Sequence, residues 1–246
     1  MTRRTAWLFL LLALLFTLLV APVAAQERAS SSPEPTAAAA TEPAYDPFAL
    51  IPAEIEEADG ALDKVARDPV GNGVAIVVLL LLLVSLIAAP ILAMRGTLPA
   101  LPGGIVLALA LAGMAVAAYL ATVETSGTEA ICGPVGDCNA VQESEYSRVF
   151  GIHIGVLGLV GYALIGLLWL VARVASGTLA DLALVLIAVG ALCGVAFSAY
   201  LTFLEPFVIG ATCMWCITSA LLMVALLWAS AGSGWIAWNR LRGRAD

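Results

Sequence analysis

The sequence predicts an all-α integral membrane protein: a four-helix transmembrane bundle with one extra N-terminal span, following a cleavable signal peptide. Three observations lead there. The 246 residues are 62% hydrophobic with a mean hydropathy of +1.01, outside the range of soluble chains. Five apolar runs, Val74–Ala93, Leu101–Val123, Ile152–Val174, Leu179–Leu204 and Cys213–Ser230, each reach the roughly 18 residues needed to cross about 30 Å of hydrocarbon. An internal repeat relates four of them. Gly113-Met-Ala-Val-Ala-Ala-Tyr119-Leu120-Ala-Thr-Val-Glu124 aligns without gaps to Gly194-Val-Ala-Phe-Ser-Ala-Tyr200-Leu201-Thr-Phe-Leu-Glu205, and the same offset of 81 residues carries Cys132 onto Cys213. Two related helix hairpins packed as a four-helix bundle follow, with Gly113, Ala117, Gly155, Gly158, Gly194 and Ser198 letting the backbones approach.

The segments follow in order. Arg3 and Arg4, the apolar run Ala6–Ala25 and the ending Val23-Ala24-Ala25 form a signal peptide over 1–25. Residues 26–47 are Ala, Ser, Thr, Pro and Glu with almost no large apolar side chain, a composition that predicts a disordered tether. Over 48–68, Ile51, Ile55, Ala58 and Leu62 recur at helical spacing among acids, which predicts an amphipathic exoplasmic segment. The extra span occupies 74–94, the bundle 101–231, and a cytoplasmic tail 232–246. Arg95, Arg173, Arg240, Arg242 and Arg244 all fall on one side of the spans, and nearly all the carboxylates on the other. The positive-inside rule makes the arginine side cytoplasmic. The net charge of −7 therefore describes the exoplasmic surface and argues against a nucleic-acid partner.

Both cysteine pairs then face the compartment where disulfides are made and kept. Thr212 is a plausible N-cap for the last helix, and Cys213 and Cys216 share one face of its first turn. Amide donors and the positive helix end favour thiolate there. Gly133, Pro134, Gly136 and Asp137 make the Cys132–Cys138 loop turn-rich, and a loop that moves a sulfur between partners suits thiol–disulfide exchange. Two static disulfides or a four-cysteine zinc site are the other readings of the same spacing. Cys193 sits in mid-helix as a small packing residue, and Tyr119 and Tyr200 read as interfacial belt residues.

Cys132-Gly-Pro-Val-Gly-Asp-Cys138, then Val141, Ser144, Tyr146 and Phe150-Gly-Ile-His-Ile-Gly-Val-Leu-Gly-Leu-Val-Gly-Tyr162, then Cys213-Met-Trp-Cys216-Ile-Thr-Ser, resemble the bacterial vitamin K epoxide reductase family over about residues 101–231. That resemblance implies a four-helix bundle around a quinone, menaquinone or ubiquinone, with the CxxC at the quinone's edge. It implies a membrane thiol–quinone oxidoreductase that reoxidises a secreted thioredoxin-fold protein and supports disulfide bond formation. Cys132 would meet the partner, Cys138 would relay electrons to Cys213, and Cys216 would lie next to the quinone. Ser144 falls where the family carries a functional hydroxyl, and His153 is a second candidate proton donor. Trp215, Ser147 and Phe150 are the candidate quinone contacts, and no metal is expected. The chain departs from the vertebrate enzymes, which carry an asparagine aligned with Ser147 and a tyrosine where Ala220 stands. Quinone epoxide reduction is one alternative, and a non-enzymatic scaffold with two structural disulfides is another. Too few residues follow the last span for a fused thioredoxin domain, so the partner is expected to be a separate protein. The expected location is the bacterial inner or plasma membrane, multi-pass, with the redox cysteines on the periplasmic or extracellular side.

Overall fold

The computed structural model describes residues 60–133 and 135–243. The signal peptide, the tether and residues 48–59 of the amphipathic segment lie outside the described residues. The elements run α1 (Ala61–Arg67), α2 (Pro69–Met94), α3 (Gly103–Ser126), α4 (Cys138–Glu143), a 3-10 turn (Glu145–Ser147), β1 (Arg148–Val149), β2 (Ile152–His153), α5 (Ile154–Val174), α6 (Thr178–Leu204), a π turn (Glu205–Ile209) and α7 (Met214–Arg242). Among the described residues, five helices are long and apolar enough to cross a membrane, and they match the five predicted runs. The two short strands pair as an antiparallel hairpin, Arg148 opposite His153 and Val149 opposite Ile152.

The boundaries have local causes. Asp68 caps α2, its Oδ1 accepting from the Gly71 amide at 2.9 Å, and Pro69 opens the helix where its missing N–H costs nothing. At the end of α6, Pro206 cannot donate to the preceding turn, so the ladder widens into a π turn. Gly210, at φ +81°, closes that turn by donating to the Glu205 carbonyl at 2.7 Å. The predicted Thr212 cap is corrected. Cys213 holds the N-cap position of α7, and its Sγ accepts from the Cys216 amide at 3.2 Å. Thr212 is one residue too early and turns its hydroxyl elsewhere. The expected tail from 232 is corrected as well, because residues 232–242 continue α7 for three more turns. Gly and Ser dilute the hydropathy there. The helix persists because Trp235 packs on the core, Arg240 pairs with Asp181 at 3.3 Å and Arg242 lies over the Trp238 ring.

The two predicted hairpins are α3 with α5 and α6 with α7. Contacts between α5 and α6 and between α3 and α7 close them into a four-helix ring. Half of the apolar window of α7 is buried, against 28% to 39% for the other four spans, because α2, α3 and α6 all pack on it. The extra span α2 lies outside the ring, against α6 and α7. By alternation, Arg95, Arg173, Arg240 and Arg242 come to one end of the bundle, and Cys132, Cys138, Cys213 and Cys216 to the other.

Tyr162 of α5 crosses the middle of the ring. Its side chain is fully buried, and its hydroxyl donates to the Ser219 carbonyl of α7 at 2.9 Å. The ring occupies the space where a Cβ at Gly113 of α3 would stand. Gly113→Ala should therefore displace Tyr162 and destabilise the protein by about 1–3 kcal/mol, the usual cost of overpacking, read as a lower melting temperature in detergent. Gly104→Ala, with open space around its Cβ, should not lower it. Equal melting temperatures for the two variants would contradict this packing.

Candidate active site

The two cysteine pairs come together because two loops at the same end of the bundle are bonded to each other. The connection between α3 and α4 folds back over the start of α7. The Ala130 amide donates to Asn139 Oδ1 at 2.7 Å and the Ile131 amide to the Tyr119 hydroxyl at 2.8 Å. The Trp215 indole donates to the Ile131 carbonyl at 3.0 Å, and the Asp137 amide to the Thr212 carbonyl at 3.0 Å. Gly136, at φ +84°, makes the last bond possible, since any Cβ there would overlap the Thr212 carbonyl. Asp137 then caps α4, its Oδ1 accepting from the Asn139 and Ala140 amides, and so sets Cys138 at the first position of that helix.

The sulfurs form a continuous series. Cys132 packs against Cys138, whose amide donates to Cys132 Sγ at 3.2 Å. Cys138 and Cys213, both fully buried, pack in one cluster. Cys216 Sγ lies 2.7 Å from Cys213 Sγ. Val123, Ala130, Tyr119, Val141 and Trp215 pack around the series and keep water from its middle. Burial and the neighbouring Cys138 thiol push the Cys132 thiol up to about 11. The Cys213 thiol beside it, then burial, raises Cys138 further.

Cys216 faces inward. It borders a cavity of about 520 Å³ between α3, α5, α6 and α7, within the usual size range of small-molecule sites. The lining is largely apolar, from Leu120, Leu157, Ile165, Leu186, Phe197 and Met223 among others, with Thr202, Glu205 and Ser219 as polar points. Of the four predicted redox cysteines, Cys216 alone lines it. Cys193, expected as a packing residue, is exposed on its wall. A small separate space, the neck, lies against the cavity at Leu120, Glu205 and Cys216 and is bordered outward by Glu124, Ser144, Tyr146 and Ser147. Beyond it lies a polar recess lined by Glu124, Glu129, Ser144, Arg148 and His153.

The other predicted site residues divide by position. Ser144 and Ser147 border the neck, but the Ser144 hydroxyl donates to the Val141 carbonyl at 2.6 Å. His153 borders the outer recess, not the cavity. Trp215 and Phe150, expected as quinone contacts, do not border the cavity. Trp215 is one position before Cys216, about 100° around the helix, and its ring lies 4.6 Å from that of Tyr119 under the relay loop. Phe150 is wholly exposed at the hairpin tip, with φ +53°. Tyr119, expected in the lipid belt, instead tethers that loop.

Two carboxylates escaped the functional reading. Glu124 Oε2 accepts from the Gly155 amide at 2.8 Å, at the start of α5. Glu205, 2% exposed, accepts through Oε2 from the Cys213 amide at 3.3 Å, at the start of α7. The repeat aligns these residues with each other, and the structure gives them one job: each accepts from the first amides of the helix that returns from its loop. That shared register was the signal in the sequence. A third missed residue, Asn72, touches the site from α2. Among the described residues no group of three or more His, Cys, Asp or Glu side chains has the arrangement of a metal site.

A model of the vitamin K epoxide reductase family matches residues 104–231, the α3–α7 ring with its cysteines. No curated protein and no solved structure matches.

The raised Cys132 thiol has a measurable consequence. In the reduced protein, the rate at which iodoacetamide alkylates Cys132 should keep climbing, by about tenfold per pH unit, well beyond the ordinary thiol range near 8.5, because the thiolate is the reactive form. It should level off near pH 11. A plateau at or below pH 9 would refute the half-buried, hydrogen-bonded setting described for Cys132.

Proposed function

The chain belongs to the vitamin K epoxide reductase family, a family of membrane oxidoreductases that work with quinones or their epoxides, and we propose that this member passes electrons from a separate secreted thioredoxin-fold dithiol protein to membrane quinone, supporting disulfide bond formation. The observation that carries the proposal is the unbroken series of four sulfurs from the loop to the cavity, ending at Cys216. A thiol relay needs each sulfur to reach the next directly.

The chain's own chemistry is as follows. A thiolate of the reduced partner attacks Cys132 of the Cys132–Cys138 disulfide, and Cys138 leaves. The partner's second thiol then closes the partner's own disulfide and frees Cys132. Cys138 attacks Cys213 of the Cys213–Cys216 disulfide, and Cys216 leaves as a thiolate at the cavity edge. Cys132 attacks Cys138, restoring the loop disulfide and releasing Cys213. A bound quinone supplies the sink, accepting two electrons and two protons from the Cys213–Cys216 dithiol. The apolar cavity and its few polar points fit such a head group and tail.

Supporting roles follow from position. Cys132 stands beside Ile131, which is 80% exposed, an apolar contact for a docking partner. Ser144 closes α4 at the neck and holds it in shape, and His153 lines the route by which protons would reach the neck from the recess. Ala220 borders the cavity, so the position that carries a tyrosine in vertebrate members offers no hydroxyl here. This favours quinone over its epoxide. The arginine-rich end would face the cytoplasm of a bacterial plasma membrane, with the cysteines outside.

Two experiments test the reading. In Cys216→Ser, Cys213 keeps a free thiol, which attacks Cys138 of the Cys132–Cys138 disulfide with Cys132 as the leaving group, and no Cys216 thiol is present to take the bond onward. A Cys138–Cys213 disulfide should accumulate by mass spectrometry, and quinone reduction by the purified protein should stop. Finding Cys132 joined to Cys213 instead would reverse the roles of the loop cysteines. In intact cells, after mild reduction, a membrane-impermeant thiol reagent should label Cys132. Protection until permeabilisation would overturn the orientation.

A further inference from the structure

The extra span α2 lies outside the family-matched residues 104–231, yet it reaches the redox segment. Asn72, near its outer end, is fully buried. Its Nδ2 donates to the carbonyls of Lys64 at 3.2 Å, Val65 at 3.2 Å and Gly210 at 3.4 Å. Its Oδ1 accepts from the Thr212 hydroxyl at 2.9 Å. Lys64 of α1 adds a second strap, its Nζ donating to the Val208 carbonyl at 2.8 Å. From the opposite side the Asp137 amide donates to the Thr212 carbonyl. The strand of chain that leads from the π turn into Cys213 is thus gripped at 208, 210 and 212, by the extra span on one side and the relay loop on the other.

A buried amide in an otherwise apolar membrane helix is costly unless all its groups are bonded. Apolar packing alone would dock α2 on α6 and α7, so docking does not require an asparagine. What it adds is direction. Apolar contacts tolerate sliding, whereas two hydrogen bonds from one side chain, to the Gly210 carbonyl and from the Thr212 hydroxyl, set residues 210 to 212 in one orientation. Thr212 immediately precedes Cys213, and sulfur exchange demands alignment of the attacking, central and leaving sulfurs.

We propose that Asn72 is a positioning residue for the Cys138–Cys213 exchange, holding Thr212 so that Cys213 meets Cys138. This rests on the relay reading above. The extra span is then a working part of the redox site and not a peripheral anchor.

The test uses the full chain in detergent, with Asn72→Leu, Thr212→Val, Thr212→Ser and Ser85→Ala compared with the parent. Ser85 is the matched control: it is also a buried polar residue of α2, accepting from the Trp228 indole at 3.2 Å, but on a deeper turn. Two readouts are taken: in a Cys216→Ser background, the rate at which the Cys213 thiol attacks the Cys132–Cys138 disulfide to form Cys138–Cys213; and, with Cys216 present, dithiol-driven quinone reduction. Asn72→Leu and Thr212→Val should slow disulfide formation by about tenfold or more, the scale of a lost alignment, and lower kcat while leaving KM for quinone unchanged. Thr212→Ser should restore both rates. Ser85→Ala should lower the melting temperature without slowing exchange. A folded Asn72→Leu that exchanges at the parental rate overturns the proposal. If Asn72→Leu does not fold, Thr212→Val decides, since it leaves the asparagine's three amide bonds in place, and a parental rate there overturns it equally. A parent that reduces quinone without ever joining Cys138 to Cys213 sinks the relay reading, and the role of Asn72 falls with it.

Discussion

One backbone hydrogen bond holds the two halves of the site together, the Asp137 amide donating to the Thr212 carbonyl at 3.0 Å. It joins the residue before Cys138 to the residue before Cys213, and so brings two sulfurs from distant loops into contact. A lone hydrogen bond is worth only about 1 kcal/mol net, too little to order a loop. Its strength lies in what surrounds it. Gly136 admits the close approach, Asp137 caps the next helix, and Tyr119, Val123, Val141 and Trp215 exclude water from the junction. Remove the approach, and Cys138 and Cys213 part while both cysteine pairs survive intact.

Beneath that junction the bundle supplies two things that conflict in most proteins, a rigid frame and an empty middle. The frame comes from the crossing of Tyr162 to Ser219 and from small residues that let helices meet. The space comes from the same small residues. Where Ala117, Gly158, Gly161 and Gly190 face one another no large side chain fills the ring, and a cavity opens with Cys216 at its outer edge. A chain in lipid tolerates this better than a small soluble domain, because five spans need not close one dense core to stay folded.

The glutamates show how an internal repeat carries structure from one half of the site to the other. Glu124 and Glu205 each sit where a helix ends, and each accepts from the amides that open the next one. Helix starts carry unsatisfied donors that must be met when buried. A carboxylate on the preceding helix meets them and ties the loop between to both helices. In the second half the tied loop holds the CxxC; in the first it holds the relay pair and its short helix. Both carboxylates border the neck next to Cys216, so the groups that meet the helix amides also place two acid side chains beside that sulfur.

The spans, the pairing into two hairpins and the gathering of the four cysteines at one end of the bundle were legible in the sequence alone, because they rest on local quantities. Hydropathy over a membrane thickness, a repeat in register and closely spaced thiols need no knowledge of neighbours. What surrounds the cysteines was not legible. Trp215 and Phe150 read as quinone contacts by residue type, yet helix phase turns one toward the loop and a hairpin lifts the other into the open. Thr212 read as a cap, yet its hydroxyl belongs to Asn72, 140 positions earlier in the chain. Hydrogen-bond partners, the facing of a side chain and the shape of a cavity are properties of two or more segments at once. The tertiary structure decided them, by bringing α2 and the relay loop to opposite sides of the four residues before the CxxC.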